Sequence, residues 1–141
     1  MNSELKRAIS RLEEGNFTCV ITDGNLTFES HERGVAPLLA FLDKGEVPVG
    51  CVAADRVIGK AAAFLYVLLN VRAVHARVMS RPATAVFERY GITFSADEVV
   101  EAIRNRAGTG FCPMESAVRD VSDATVVPDI LRTVLAQLKK Q

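Results

Sequence analysis

The feature that most constrains this chain is the repeated switch of its apolar period between the helical value of about 3.6 and the strand value of about 2. Leu5, Ala8, Ile9 and Leu12 recur at helical spacing and predict an amphipathic first helix that Gly15 ends. Two short alternating runs follow, FTCVITD and LTFES, joined through Asp23-Gly24-Asn25. A D-G pair between β-rich runs predicts a hairpin, because its central residues must tolerate positive φ. The first two strands are therefore expected to be antiparallel.

VAPLLAFLDKG reads as a short helix closed by Gly45, and VPVGCVAA as a continuous apolar strand. A strand without alternation is covered on both faces, which places it centrally in a sheet flanked by helices. A helix from about Gly59 to Leu69 comes next, then RAVHARVMS as a strand, RPATAVFERYG as a helix with Pro82 near its first turn, and ITFSA as a strand. Helical crossovers require these last three strands to run parallel. In the final third, DEVVEAIRNR reads as a helix and GTGFCPMESAV as a glycine-rich loop entering another helix. VVPDILRTVLAQLKK is a last amphipathic helix, with Val127, Ile130, Leu131, Val134, Leu135 and Leu138 on its apolar stripe. No repeat or linker interrupts this order, so residues 1–141 are expected to form one domain, an α/β fold built as a three-layer α/β/α sandwich on a five-stranded mixed sheet.

Composition limits the function classes. A chain of 141 residues, 49% of them hydrophobic, can bury a core without a metal or disulfide to hold it. Its 17 basic residues balance 17 acidic ones with no Lys/Arg block, which argues against nucleic acid as a partner. Cys19, Cys51 and Cys112 are odd in number and lack C-x-x-C spacing, so neither a disulfide framework nor a zinc cage is indicated, and a reducing cytoplasm is expected. The start, MNSELKRAISRLEEG, is amphipathic and does not resemble a signal peptide. The longest apolar run, AAAFLYVLL, has about half the roughly 20 residues a membrane-spanning helix needs.

Three stretches, FESHERGVAPLLAFL, VAADRVIGKAAAFLYVL and NRAGTGFCPME, resemble the family known as domain of unknown function 1893, which is placed in the cytidine-deaminase-like superfamily. That resemblance spans essentially the whole chain and implies a cytidine-deaminase-like fold with a cleft at the ends of the second and third strands. It implies no established activity. Zinc deaminases carry H-x-E on one helix and P-C-x-x-C on the next. Here His31 and Glu32 are adjacent, and Ala54 to Lys60 contains neither cysteine, so the zinc site is expected to be lost and neither metal nor other cofactor is called for. ADRVIGKA also fails as a phosphate-binding loop, because Ala54 and Ala61 stand where a glycine and a hydroxyl are required.

Asp55 and Lys60 are expected to flank the start of a helix at the carboxyl end of a central strand, where ligands bind in open α/β sheets. Free backbone N–H groups there favour an anion, with Lys60 adding charge; alternatively, Asp55 caps the helix and Lys60 snorkels from its first turn. Pro113 at the first helical position places Cys112 at an N-cap and Glu115 three residues on. In one reading the helix end and Arg104 or Arg106 stabilise a thiolate, and Cys112 is a nucleophile. In the other, Glu115 completes a capping box and Cys112 is a semi-buried cap. Cys19, Cys51 and His75 read as core or surface residues, whereas His31 at the cleft mouth is a candidate proton shuttle. The candidate catalytic residues are therefore Cys112, Asp55, Lys60 and His31, with Ser30, Gly59, Gly108, Thr109, Gly110 and Glu115 as ligand contacts. Two functions fit: a zinc-free enzyme acting on a small anionic or nucleoside-like metabolite, or a binding or regulatory module using the same cleft. A homodimer is the base expectation for such a domain.

Overall fold

The computed structural model describes residues 2–45, 50–105 and 107–140. The elements run α1 (Ser3–Glu14), β1 (Cys19–Thr22), β2 (Thr27–Ser30), α2 (Ala36–Asp43), β3 (Val52–Ile58), α3 (Lys60–Leu68), β4 (Ala73–Ser80), α4 (Arg81–Tyr90), β5 (Thr93–Val100), α5 (Pro113–Val118), a 3-10 turn at Ala124–Val126, and α6 (Val127–Lys139). The strands form one five-stranded mixed sheet in the order β2-β1-β3-β4-β5. β1 is antiparallel to both β2 and β3, while β3, β4 and β5 are parallel, as the hairpin and crossover signals require.

Local chemistry sets the element ends. The Asn2 side chain accepts a hydrogen bond from the Leu5 N–H at 2.7 Å and starts α1. In the β1–β2 turn, Asp23 Oδ1 accepts from the Asn25 and Leu26 N–H groups at 2.8 and 2.7 Å, and Gly24 takes φ 98. Ser80 Oγ accepts from the Ala83 N–H and opens α4, which Gly91 closes in the left-handed conformation at φ 70.

Alternation along the strands divides the core between two faces. Val20, Val52, Ala54 and Ala73 pack against Leu5, Ala8 and Leu12 of α1. Cys19, Ile21, Ala53, Val74 and Ala76 belong to the larger cluster, which takes in α2 to α6. α3 is the centre of that cluster: Ala61 to Tyr66 are all buried, so it is apolar around its whole circumference.

Two expectations are corrected. DEVVEAIRNR is not a helix, because β5 continues to Val100 through the partners Val78↔Glu98, Met79↔Val99 and Ser80↔Val100. The eight-residue β4 offers a ladder to its end, and that pairing overrides a local period that mimics a helix. Beyond it, Ile103 to Asn105 turn back on Gly110 to Cys112 through an Asn105–Gly110 bond of 2.9 Å and a Cys112–Ile103 bond of 3.2 Å, with Gly108 at φ 70 in the turn. The second correction is that β3 runs on to Ile58, with Val57 and Ile58 paired to Val78 and Met79. Asp55 is thus a strand residue, and Gly59 is the N-cap of α3. Residues 47–49 of the VPVGCVAA run and Arg106 lie outside the described residues.

Candidate functional site

A cleft of about 930 Å³ opens where β1 and β3 meet the starts of α2 and α3, closed on the other side by the 103–105 hairpin arm, α5 and the end of α6. Asp55, His31, Cys112 and Glu115 all line it. Ser30, Gly59, Lys60, Gly108, Thr109 and Gly110 are not among its lining residues.

Asp55 comes to the cleft from the middle of β3, opposite Cys19 of β1, and only 9% of it is exposed. Its Oδ2 accepts a hydrogen bond from the Tyr66 hydroxyl at 2.6 Å, and its Oδ1 accepts from the Val57 N–H at 3.3 Å. Burial raises its pKa to about 7, working against these hydrogen bonds, which favour the anion. The same burial, with Asp55 alongside, pushes the Tyr66 hydroxyl and the Cys19 thiol upward, so both stay protonated. Asp55 is a carboxyl that changes its charge near neutrality while facing a cavity, a combination that suits proton transfer.

Glu115 does not fold back on its own helix. It reaches across to α3, where Oε1 accepts from the Lys60 N–H at 2.6 Å and Oε2 from the Ala61 N–H at 2.8 Å. Burial raises its pKa, opposed by those two bonds. The anion expected at the start of α3 is therefore supplied by the chain itself. Gly59 makes this possible, since a Cβ there would collide with the Glu115 carboxylate. Lys60 completes the clasp from the other side, its Nζ donating to the Arg119 carbonyl at 2.8 Å, near the end of α5. These bonds account for Lys60 and Gly59 without a ligand, and they replace the capping box read from CPME.

Cys112 is the N-cap of α5, but its side chain makes no capping bond. α5 has only six residues, so the helix field at the thiol is weak. His31 is exposed, with its ring 4.4 Å from that of Phe17 and its Nδ1 donating to the Asn16 carbonyl at 3.2 Å. Among the described residues no hydrogen bond joins His31 to Cys112. Ser30 Oγ accepts from the Glu32 N–H, and Thr109 pairs with Asn105 at the hairpin tip, so both serve turns.

Beyond Arg104, which the sequence placed beside Cys112, sequence reasoning missed the cleft's charge and its apolar wall. Arg33 and Arg56 line it, as does Arg104, whose guanidinium stacks 5.4 Å from the Phe111 ring. Arg56 is held by the Phe17 carbonyl at 2.6 Å and by Asn16, whereas Arg33 makes no ion pair among the described residues. Val57, Leu135 and Leu138 form an apolar wall, with Val57 46% and Leu138 40% exposed. Arg33 was within reach of a sequence argument, since it follows His31 in the same loop; the wall depends on where α6 docks. A second, more open groove of about 640 Å³ between α1 and the β1–β2 hairpin is lined largely by exposed charged side chains and holds no buried titratable group. Among the described residues no three His, Cys, Asp or Glu side chains converge as a metal-ligand set, so the donors a deaminase zinc needs are not assembled there. No described helix is long and apolar enough to cross a membrane.

The family model described as Domain of unknown function (DUF1893) matches residues 7–135. The chain belongs to the DUF1893 family. A solved structure of a DUF1893 family protein from Thermotoga maritima is similar to it over 97% of this chain and 92% of that one, with 29% sequence identity and a TM-score of 0.82. No curated protein matches it. Membership of DUF1893 fixes a mixed α/β fold with a five-stranded sheet and carries no activity with it.

Proposed function

We propose that this DUF1893 protein, built as a three-layer α/β/α domain of the cytidine-deaminase-like class, binds a small anionic, nucleoside-like metabolite in the Asp55 cleft without zinc, and that Asp55 is the acid–base group of a reaction there. The observation that carries this reading is the Asp55 carboxyl, buried between Cys19 and Tyr66 yet facing the cavity. Arg33 and Arg104 supply positive charge for the anionic end of the ligand, and Val57, Leu135 and Leu138 supply a surface for its apolar part. Cys112 in the same lining is the candidate nucleophile. Its thiol, which forms no disulfide among the described residues, suits a cytoplasmic protein.

The second reading, a binding or regulatory module without turnover, is favoured by the lack of a hydrogen bond between Cys112 and His31 among the described residues. A thermal-shift screen against nucleosides, nucleotides and sugar phosphates tests the shared part, since a ligand of the native state raises its melting temperature. The expected hit stabilises the wild type and loses most of its effect in Asp55→Asn and Arg33→Ala. A hit indifferent to both substitutions places binding elsewhere, and the proposal fails. Consumption of that hit by the wild type but not by Asp55→Asn separates the enzyme from the module, and protection of Cys112 from iodoacetamide by the hit places the thiol at the ligand.

A further inference from the structure

A second group of reactive side chains lies outside the cleft, on the opposite face of the sheet. His75 of β4 is 6% exposed and on the same face as Ala73, which packs against α1. Its cross-strand partner is Ser95 of β5, and Ser95 Oγ lies 2.8 Å from His75 Nδ1. Two residues further along β5, Asp97 Oδ1 lies 3.3 Å from His75 Nε2. An ionised carboxylate only accepts, so in the neutral ring the hydrogen is best placed on Nε2, on the Asp97 side at ion-pair distance; Nδ1 is then the lone-pair nitrogen that accepts the Ser95 hydroxyl proton. The bond order, hydroxyl to imidazole to carboxylate, is that of a nucleophile, its general base and the group that orients the base.

The position of the group leaves it open to a reactant. α1 packs on β1, β3 and the near side of β4, whereas Thr93, Asp97 and Val99 on β5 are exposed and Ser95 is half-buried. Arg77, two residues after His75 on the same face, is one strand over from the Ser95–Asp97 stretch of β5, and its ion pair to Glu13 among the described residues is long at 3.9 Å, so the guanidinium is not held tightly there. From an adjacent strand, a long side chain can reach the atoms around Ser95. It offers a cation for a developing oxyanion.

We propose that Ser95, His75 and Asp97 form an acyl-transfer site that cleaves small activated carboxylic esters, with Arg77 as the oxyanion partner. Ser95 Oγ bonds to the ester carbonyl carbon while its proton passes to His75 Nδ1 and the carbonyl π pair moves to oxygen beside Arg77. The tetrahedral adduct collapses, the bond to the leaving oxygen breaks, and that oxygen takes the proton from His75. Water repeats the sequence on the acyl-serine, releasing the carboxylic acid and restoring Ser95. Asp97 acts through His75 and is a positioning residue.

The test is incubation of the full chain with a fluorophosphonate probe, with the adduct located by peptide mass spectrometry, alongside hydrolysis of p-nitrophenyl acetate. The expected adduct is on Ser95. Ser95→Ala abolishes it, and the exposed substitution Asp97→Asn slows both labelling and hydrolysis by at least about tenfold while shifting the pH profile of the rate. Circular dichroism and the melting temperature establish that each variant is folded. An adduct on another residue, no adduct on the folded wild type, or equal labelling of folded Asp97→Asn overturns the proposal.

Discussion

At the scale of single residues, the most informative side chain is Asp55. Its ordinary carboxyl value in an unfolded chain is about 3.9, and burial raises it to about 7 in the fold. The folded state therefore holds a proton that the unfolded state releases, and stability falls as pH rises through that window. The contribution is full below about pH 4 and gone above about pH 7, with an upper bound of about 4 kcal/mol because the carboxyl faces an open cleft. Asp55→Asn removes this slope: urea denaturation should find the variant gaining on wild type steadily from about pH 4 to pH 7 and holding a constant margin over it above that. Tyr66→Phe deletes a donor that favours the carboxylate, so the Asp55 midpoint should move up. Gly59→Ala forces a Cβ onto Glu115 Oε1 and should cost about 1–3 kcal/mol in chemical denaturation. Sequence reasoning found Asp55, His31, Cys112 and Glu115, all of which line the cleft, from their residue types and from nearby glycine and proline. It assigned the wrong bonds to Glu115 because the partner N–H groups are 54 and 55 positions away, and nothing local encodes that reach.

At the scale of elements, the legible part of the fold was the part with strong local chemistry. The hairpin at Asp23-Gly24, the Ser80 and Pro82 start of α4 and the Gly91 stop all follow from residues beside the junction. The failure at DEVVEAIRNR has a different origin. Val99 and Val100 alternate poorly there, and it is β4, twenty positions earlier, that extends them as a strand. α6 shows the same division between local pattern and docking, since its stripe was readable but which residue packs and which faces the cleft was not. Leu131 is fully buried, while Leu138 is 40% exposed on the cleft wall. Leu131→Ala should therefore lower the unfolding free energy by about 2–5 kcal/mol, while Leu138→Ala should change it by less than about 1 kcal/mol and weaken the ligand found in the screen. Equal effects of the two on stability would mean that α6 is docked differently.

At the scale of the whole molecule, β3 leads to the cleft beside the antiparallel β1, so that Cys19 and Asp55 face each other as partners. α3 then places Tyr66 over the carboxyl, and α5 and α6 seal the remaining side through the Glu115 clasp and the Leu135–Leu138 wall. The environment of one carboxyl is thus the joint product of β1, β3, α3, α5 and α6, which is why a single titration reads the whole arrangement. The direct measurement is the Asp55 side-chain carboxyl shift followed by carbon-13 NMR from pH 4 to 9. A midpoint near 7, moved further up in Tyr66→Phe, is the result expected of a buried acid that can exchange a proton with a ligand at neutral pH. A midpoint near the ordinary carboxyl value of about 4, unmoved by Tyr66→Phe, would contradict the account of the cleft and of Asp55 within it.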